Sequence, residues 1–244
     1  MAKSYLRILL LISSILFFLI ACTSDQEEAE QTINQIKPNL ELDGDPEVDL
    51  EALISAEEQL DSDQVVLTVN GEYVYGEAYN AVYQDIKLAM FENGDDIETL
   101  SVIHDETVDM LARRLVLMQD AEARGITVSN EELDDVFFET KAQFDSEEDF
   151  NNVLAQLAFT EESFRETIQV QLIQQLYIEQ EFTHLTVTEY EVEEFYAILE
   201  NQMDEAPPLA ELATEIENQI LQSKIQAALE ERVETLMEVA EIEE

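Results

Sequence analysis

From Tyr79 to Val233 apolar residues recur at intervals of three and four, a rhythm that stacked amphipathic helices satisfy and sheets do not. Tyr79, Val82, Tyr83, Ile86 and Met90 make one such face. A second helix is expected over roughly Glu98 to Arg124, with Gly125 as the residue that stops it. Ser129-Asn130-Glu131-Glu132 is a capping-box start for a third, running through Val136, Phe137 and Lys141. Ser146 opens a short fourth with Phe150, Val153, Leu154 and Leu157. Thr160 caps a long fifth striped by Phe164, Ile168, Leu172 and Leu176, and Thr188 caps a sixth through Val192, Phe195 and Leu199. Pro207-Pro208 breaks the chain before a last helix carrying Leu209, Leu212, Ile216, Ile220, Ile225, Leu229 and Val233. Only five Gly and four Pro in 244 residues argue against sandwiches, barrels and Gly-rich nucleotide folds, while 46% apolar residues suffice for a core.

Strands are expected only at the edges of this helical body. Val65-Val66-Leu67-Thr68-Val69 is a β-branched run closed by the tight-turn signal Asn70-Gly71, with Tyr73-Val74-Tyr75 as a second strand. Ala240-Glu241-Ile242-Glu243 is suited to a short terminal strand.

Upstream of Val65 the character changes. Met1–Arg7 carries Lys3 and Arg7 and no acid, and Ile8–Ile20 is an apolar run interrupted only by Ser13 and Ser14. A spanning helix wants about 20 such residues, so the length suits a secretory signal better than an uncleaved anchor. The run ends Leu19-Ile20-Ala21-Cys22, which resembles the lipobox of bacterial lipoproteins. In that family cleavage precedes the Cys, which then carries the lipid. Residues 1–21 are therefore expected to be a signal peptide and Cys22, the sole cysteine, the lipid attachment site. Residues 22–63 are rich in acids, with Lys37 the single base between Thr23 and Asp63, and like-charge repulsion predicts an extended tether. A short helix over Leu50–Leu60 is the one element expected in it. Glu41-Leu42-Asp43-Gly44-Asp45-Pro46-Glu47 fails calcium-loop spacing and reads as solvated linker.

Several stretches together resemble the N-terminal chaperone region of the SurA/PrsA family of extracytoplasmic folding factors. They are the strand-turn entry Val66-Leu67-Thr68-Val69-Asn70-Gly71-Glu72, the helix end and restart from Ala121 to Glu132, the opening Phe159-Thr160-Glu161-Glu162-Ser163-Phe164-Arg165, and the boundary Leu185-Thr186-Val187-Thr188. The resemblance covers residues 64–244 and implies a mainly α, multi-helix, trigger-factor-like chaperone fold. It also implies a short N-terminal hairpin and a C-terminal helix and strand that pack back on it. Family members with isomerase activity carry a parvulin-type domain between the sixth helix and the last. Here Leu199 and Leu209 are separated by too little chain to hold one.

Catalytic signatures are missing. His104 and His184 have no His or Cys at ligand spacing, and there is no P-loop, G-x-S-x-G or G-x-G-x-x-G. With 57 acids any two carboxylates meet by chance, so acid pairs say nothing about glycoside chemistry. A net charge of -46 disfavours nucleic acid and anionic lipid surfaces, and suits a salty or alkaline medium where repulsion is screened. No metal and no cofactor is expected, and no enzyme. The expected function is an extracytoplasmic, membrane-anchored holdase whose partners are unfolded or nascent exported proteins. The alternatives are a prolyl isomerase with residual or lost activity and a structural lipoprotein with one specific partner. Phe91, Phe137, Phe138, Phe144 and Phe159 are the candidates to line a client-binding cradle, with core packing as the competing role for each.

Overall fold

The computed structural model describes residues 53–55, 57–144, 146–156, 159–203 and 206–244. The expected signal peptide, Cys22, the 41–47 stretch, most of the tether and Leu157 lie outside the described residues. The elements run β1 (Val65–Val69), β2 (Glu72–Tyr75), α1 (Gly76–Asn93), α2 (Leu100–Ala123), α3 (Asn130–Lys141), α4 (Glu147–Gln156), α5 (Glu161–Glu181), α6 (Glu189–Gln202), α7 (Leu209–Met237) and β3 (Ile242–Glu243).

β1 and β2 form an antiparallel hairpin, Val69 opposite Glu72 and Thr68 opposite Tyr73, with a bulge between Val65 and Leu67. Asn70 (φ 52°) and Gly71 (φ 85°) both take positive φ, the geometry that a two-residue hairpin turn requires and that Asn-Gly supplies. β3 pairs antiparallel with the other edge of β1, giving sheet order β2-β1-β3. Asn70 fastens this junction: its N–H donates to the Glu241 carbonyl (2.8 Å) and its side-chain oxygen accepts the Glu241 N–H (2.9 Å).

The start of α1 has an unusual solution to its unpaired amides. Tyr75 sits at the N-cap without a side-chain hydrogen bond. Instead the upstream chain folds over the helix end, so that the carbonyl of Gln64 accepts the Gly76 N–H (2.8 Å) and that of Ser62 accepts the Glu77 N–H (3.2 Å). The approach is so close that a Cβ on Gly76 would lie 2.1 Å from the Asp61 carbonyl oxygen, which explains the glycine. Asn80 completes the strap, accepting from the Leu60 N–H (2.9 Å) and donating to its carbonyl (2.8 Å). Residues 57 and 58 form a turn, so no helix reaches Leu60, and the packed chain begins before residue 64.

The caps match expectation elsewhere. Ser129 and Thr188 each form a reciprocal capping box, with Glu132 and Glu191 respectively. Ser146 and Thr160 accept from the N–H groups of Asp149 (3.1 Å) and Ser163 (3.0 Å), and Gly125 takes φ 74° just past α2.

Two compact units share the described chain: one up to Tyr177 together with Arg232–Glu244, the other Ile178–Glu231. In the first, α1 packs on α2, and β1 on α2 through its buried Leu67 and Val69. Phe137, Phe150, Leu154, Phe164 and Ile168 form a hydrophobic cluster contributed by α3, α4 and α5. Arg232 of α7 forks onto the Asp120 carboxylate (2.6 and 3.2 Å), which also accepts from Arg124 (2.7 Å) and from the Tyr177 hydroxyl. Burial alone would raise Asp120, but these donors outweigh it and hold the carboxyl below its ordinary range. In the second unit Lys224 binds Glu191 (2.5 Å) and the Thr186 carbonyl (2.8 Å), and Tyr196 donates to the Pro207 carbonyl (2.8 Å).

Candidate functional site

The five aromatics singled out from the sequence divide by burial. Phe137 is fully buried, its ring 5.8 Å from that of Phe150 and 6.3 Å from that of Phe164, with the Arg165 guanidinium 4.6 Å from its centroid. It is a core residue and has no surface to offer a client. Phe144 and Phe159 are half-buried against the same cluster, 5.2 Å from Phe150 and 6.1 Å from Phe164. Phe138 is 59% exposed and Phe91 46%. The contrast between neighbours 137 and 138 follows from helix geometry, because consecutive side chains project about 100° apart.

Other apolar side chains join these two at the surface. The solvent face of the hairpin carries Val65, Tyr73 and Tyr75, with Val65 opposite Tyr75 and the two tyrosine rings 6.3 Å apart. Leu100 and Val102 are exposed at the start of α2, where the chain arrives from Phe91. The second unit exposes Tyr190, Ile198 and Met203. The Tyr-Val-Tyr alternation was the legible signal for the first patch, since period two puts Tyr73 and Tyr75 on one face and buries Val74 on the other.

The charged interior was not visible in the sequence. Lys87 and Glu58 are both nearly buried and paired, and Glu58 also accepts from the Tyr83 hydroxyl (2.8 Å). Asp85 of α1 and Arg114 of α2 behave differently. Each is only partly exposed. Desolvation pushes the Asp85 carboxyl up to about 7 against the opposing influence of Arg114. Desolvation likewise lowers Arg114, while the charges of Glu166 on α5 and of Asp85 hold it up. Among the described residues every other Lys and Arg has a carboxylate oxygen within 4.0 Å, and Arg114 has none.

The two histidines carry ordinary contacts, His104 with the Tyr79 hydroxyl (2.8 Å) and His184 with the Glu181 carbonyl (3.1 Å). Among the described residues no group of His, Cys, Asp and Glu is placed to hold a metal ion, and no helix is long and apolar enough to cross a membrane.

A helical body entered through a β-hairpin, closed by a strand from its own C-terminal end and bearing scattered exposed aromatics defines the class: a SurA-type helical module. The model of the SurA-like N-terminal domain matches residues 52–178, more than half of the chain, and the protein belongs to that family. The match begins ahead of residue 64 and so takes in the strap over α1. Membership supports a chaperone-like role. No curated protein matches the chain.

Proposed function

We propose that the protein is a lipid-anchored extracytoplasmic holdase that binds apolar segments of unfolded exported proteins and has no catalytic step of its own. The observation that carries this reading is the SurA-like N-terminal match over a body whose exposed apolar side chains, Tyr73, Tyr75, Phe91, Leu100 and Phe138 among them, are dispersed over the hairpin, α1, α2 and α3. Weak contacts at several places suit many clients and specify none. The Leu19-Ile20-Ala21-Cys22 stretch supports a lipid anchor, because several acyl chains at ~0.8 kcal/mol per buried CH₂ hold a protein on a bilayer despite a net charge of -48 (57 acids against 9 bases once Lys3 and Arg7 are cut away). The same charge keeps chaperone and bound client in solution. Absence of isomerase activity is supported by the short passage from α6, ending at Gln202, to α7, starting at Leu209.

The direct assay is light scattering of a denatured secreted protein diluted into buffer, without ATP. Scattering should fall as the mature protein approaches equimolar amounts. Unchanged scattering at several-fold molar excess would transfer the assignment to a structural lipoprotein with one specific partner.

A further inference from the structure

The small sheet is closed by a strand on one side and left open on the other. Val69 and Glu72 flank the two-residue turn and face each other, so they exchange the hairpin's hydrogen bonds. Thr68 and Tyr73, the next pair, therefore turn their main-chain N–H and C=O groups away from each other. On the Thr68 side β3 covers them, with Glu243 opposite Thr68. On the Tyr73 side no strand follows in the order β2-β1-β3, and among the described residues no hydrogen bond reaches the outward groups of Tyr73. Open edges template pairing with other chains and are commonly blunted by Lys, Pro or a bulge. β2 reads Glu-Tyr-Val-Tyr and carries no such guard, since the bulge of this hairpin lies in β1. Beside the open groups stand the Tyr73 and Tyr75 side chains, 58% and 46% exposed, with their rings 6.3 Å apart.

The same sheet shows what such an edge accepts: β3 is a short piece of extended chain fixed by main-chain pairing. A second copy of the protein is a poor occupant for β2. A stable dimer buries about 1,200–2,000 Å², more than a four-residue strand supplies. Exposed acids also stand at both ends of β2, Glu72 at its start and Asp61, Asp63 and Glu77 around its junction with α1, and no Lys or Arg falls between residues 61 and 86 to offset them. Like charges would meet if two copies paired here, whereas an acid-poor segment of another chain meets no repulsion. We infer that the outer edge of β2 is a strand-addition site for an extended, acid-poor segment of an unfolded client, held through the Tyr73 main chain and flanked by the Tyr73 and Tyr75 rings. This rests on the holdase reading and adds to it the conformation and charge of the segment that is bound. Main-chain pairing is the same for every sequence, so the edge selects unpaired extended chain rather than particular residues.

The test uses fluorescence anisotropy with the full mature chain and a short labelled peptide of Val, Thr and Ser with blocked ends. Tyr73→Pro removes the outward N–H without costing a hairpin hydrogen bond, and Tyr73→Thr removes the ring but keeps the N–H. The proline variant should bind about tenfold more weakly than the threonine one, as expected for a lost edge donor and a blocked neighbour. Replacing two Ser of the peptide by Glu should weaken binding to the wild type at low salt, and 1 M NaCl should close that gap. Should circular dichroism show the proline variant unfolded, amide hydrogen exchange of the wild type decides: the Tyr73 N–H should exchange quickly alone and about tenfold more slowly at saturating peptide. Equal affinities of the two variants when both are folded, an unchanged Tyr73 exchange rate, or equal binding of the Ser and Glu peptides at low salt overturns the inference. So does dimerisation in sedimentation that Tyr73→Pro abolishes, which would assign the edge to a second copy. Aggregation suppression without binding of the peptide overturns the inference and leaves the holdase reading standing. No peptide binding together with no suppression overturns both.

Discussion

Replacing Glu58 by Gln should destabilise the protein by about 3 kcal/mol at neutral pH, and by progressively less in acid. Burial by itself would push the Glu58 carboxyl up. The Lys87 ammonium, the Ser55 N–H (2.9 Å), the Tyr83 hydroxyl (2.8 Å) and the Ser55 hydroxyl (2.9 Å) outweigh burial and bring it from 4.5 down to about 2. At ~1.4 kcal/mol per pH unit that difference is worth about 3 kcal/mol. Solvent screening removes little of it, as the Glu58 and Lys87 side chains are only 8% and 5% exposed. The folded value lies below the unfolded one, so the contribution is complete above pH 4.5 and is lost as pH falls toward 2. By pH 3 roughly half should remain. Comparing the two proteins at each pH cancels the easing of repulsion among the other acids, which acts in the opposite direction on both. Urea unfolding followed by circular dichroism at pH 7 and pH 3 supplies the two differences, and the melting temperature at pH 7 should drop by roughly 10 °C. Equal differences at the two pH values, or wild-type stability in the variant, would refute the reasoning. Glu58→Leu combined with Lys87→Met should recover most of the loss, because the Gln variant's penalty lies in a buried ammonium left without its counter-charge.

Deleting residues 238–244 removes β3 and both Asn70–Glu241 hydrogen bonds and bares an edge of β1. Calorimetry should show a loss of about 2 kcal/mol, or roughly 5 °C, and an unchanged midpoint would contradict the pairing. Cys22→Ser should leave the precursor uncleaved and unlabelled by radioactive palmitate in cells; labelling of that variant would put the anchor elsewhere. The purified protein should not accelerate cis–trans isomerisation of a short X-Pro peptide, and acceleration free of contaminating isomerase would restore the enzyme alternative.

Local signals carried most of the fold. The Asn70-Gly71 turn, the Ser129 and Thr188 capping boxes and the Gly125 stop are chemistry confined to four or five consecutive residues, and each is where the sequence puts it. The terminal strand was read from residues 240–243, but its pairing with β1 was legible only through family resemblance, since no local signal joins residues so far apart in the chain. The strap over α1 was missed because its partners lie far apart in the chain: backbone carbonyls of Ser62 and Gln64 do the work expected of a capping side chain, and acidity around them suggested a tether. The candidate surface was half legible. Periodicity places Phe137 and Phe138 on a helix but cannot say which of two neighbours faces in. Nothing in the sequence marks Asp85 and Arg114, because their mutual influence depends on how α1 and α2 meet.

Client binding driven by apolar contact is the central claim, and its salt dependence tests it most directly. A secreted protein kept unfolded by reduction and alkylation, and labelled for anisotropy, should bind the mature chain with an affinity that stays level or tightens from 50 mM to 1 M NaCl. Hydrophobic association is not screened, whereas repulsion between acidic surfaces is, with a Debye length of about 3 Å at 1 M. No binding at any salt, or an affinity that falls steeply as salt rises, would contradict the account.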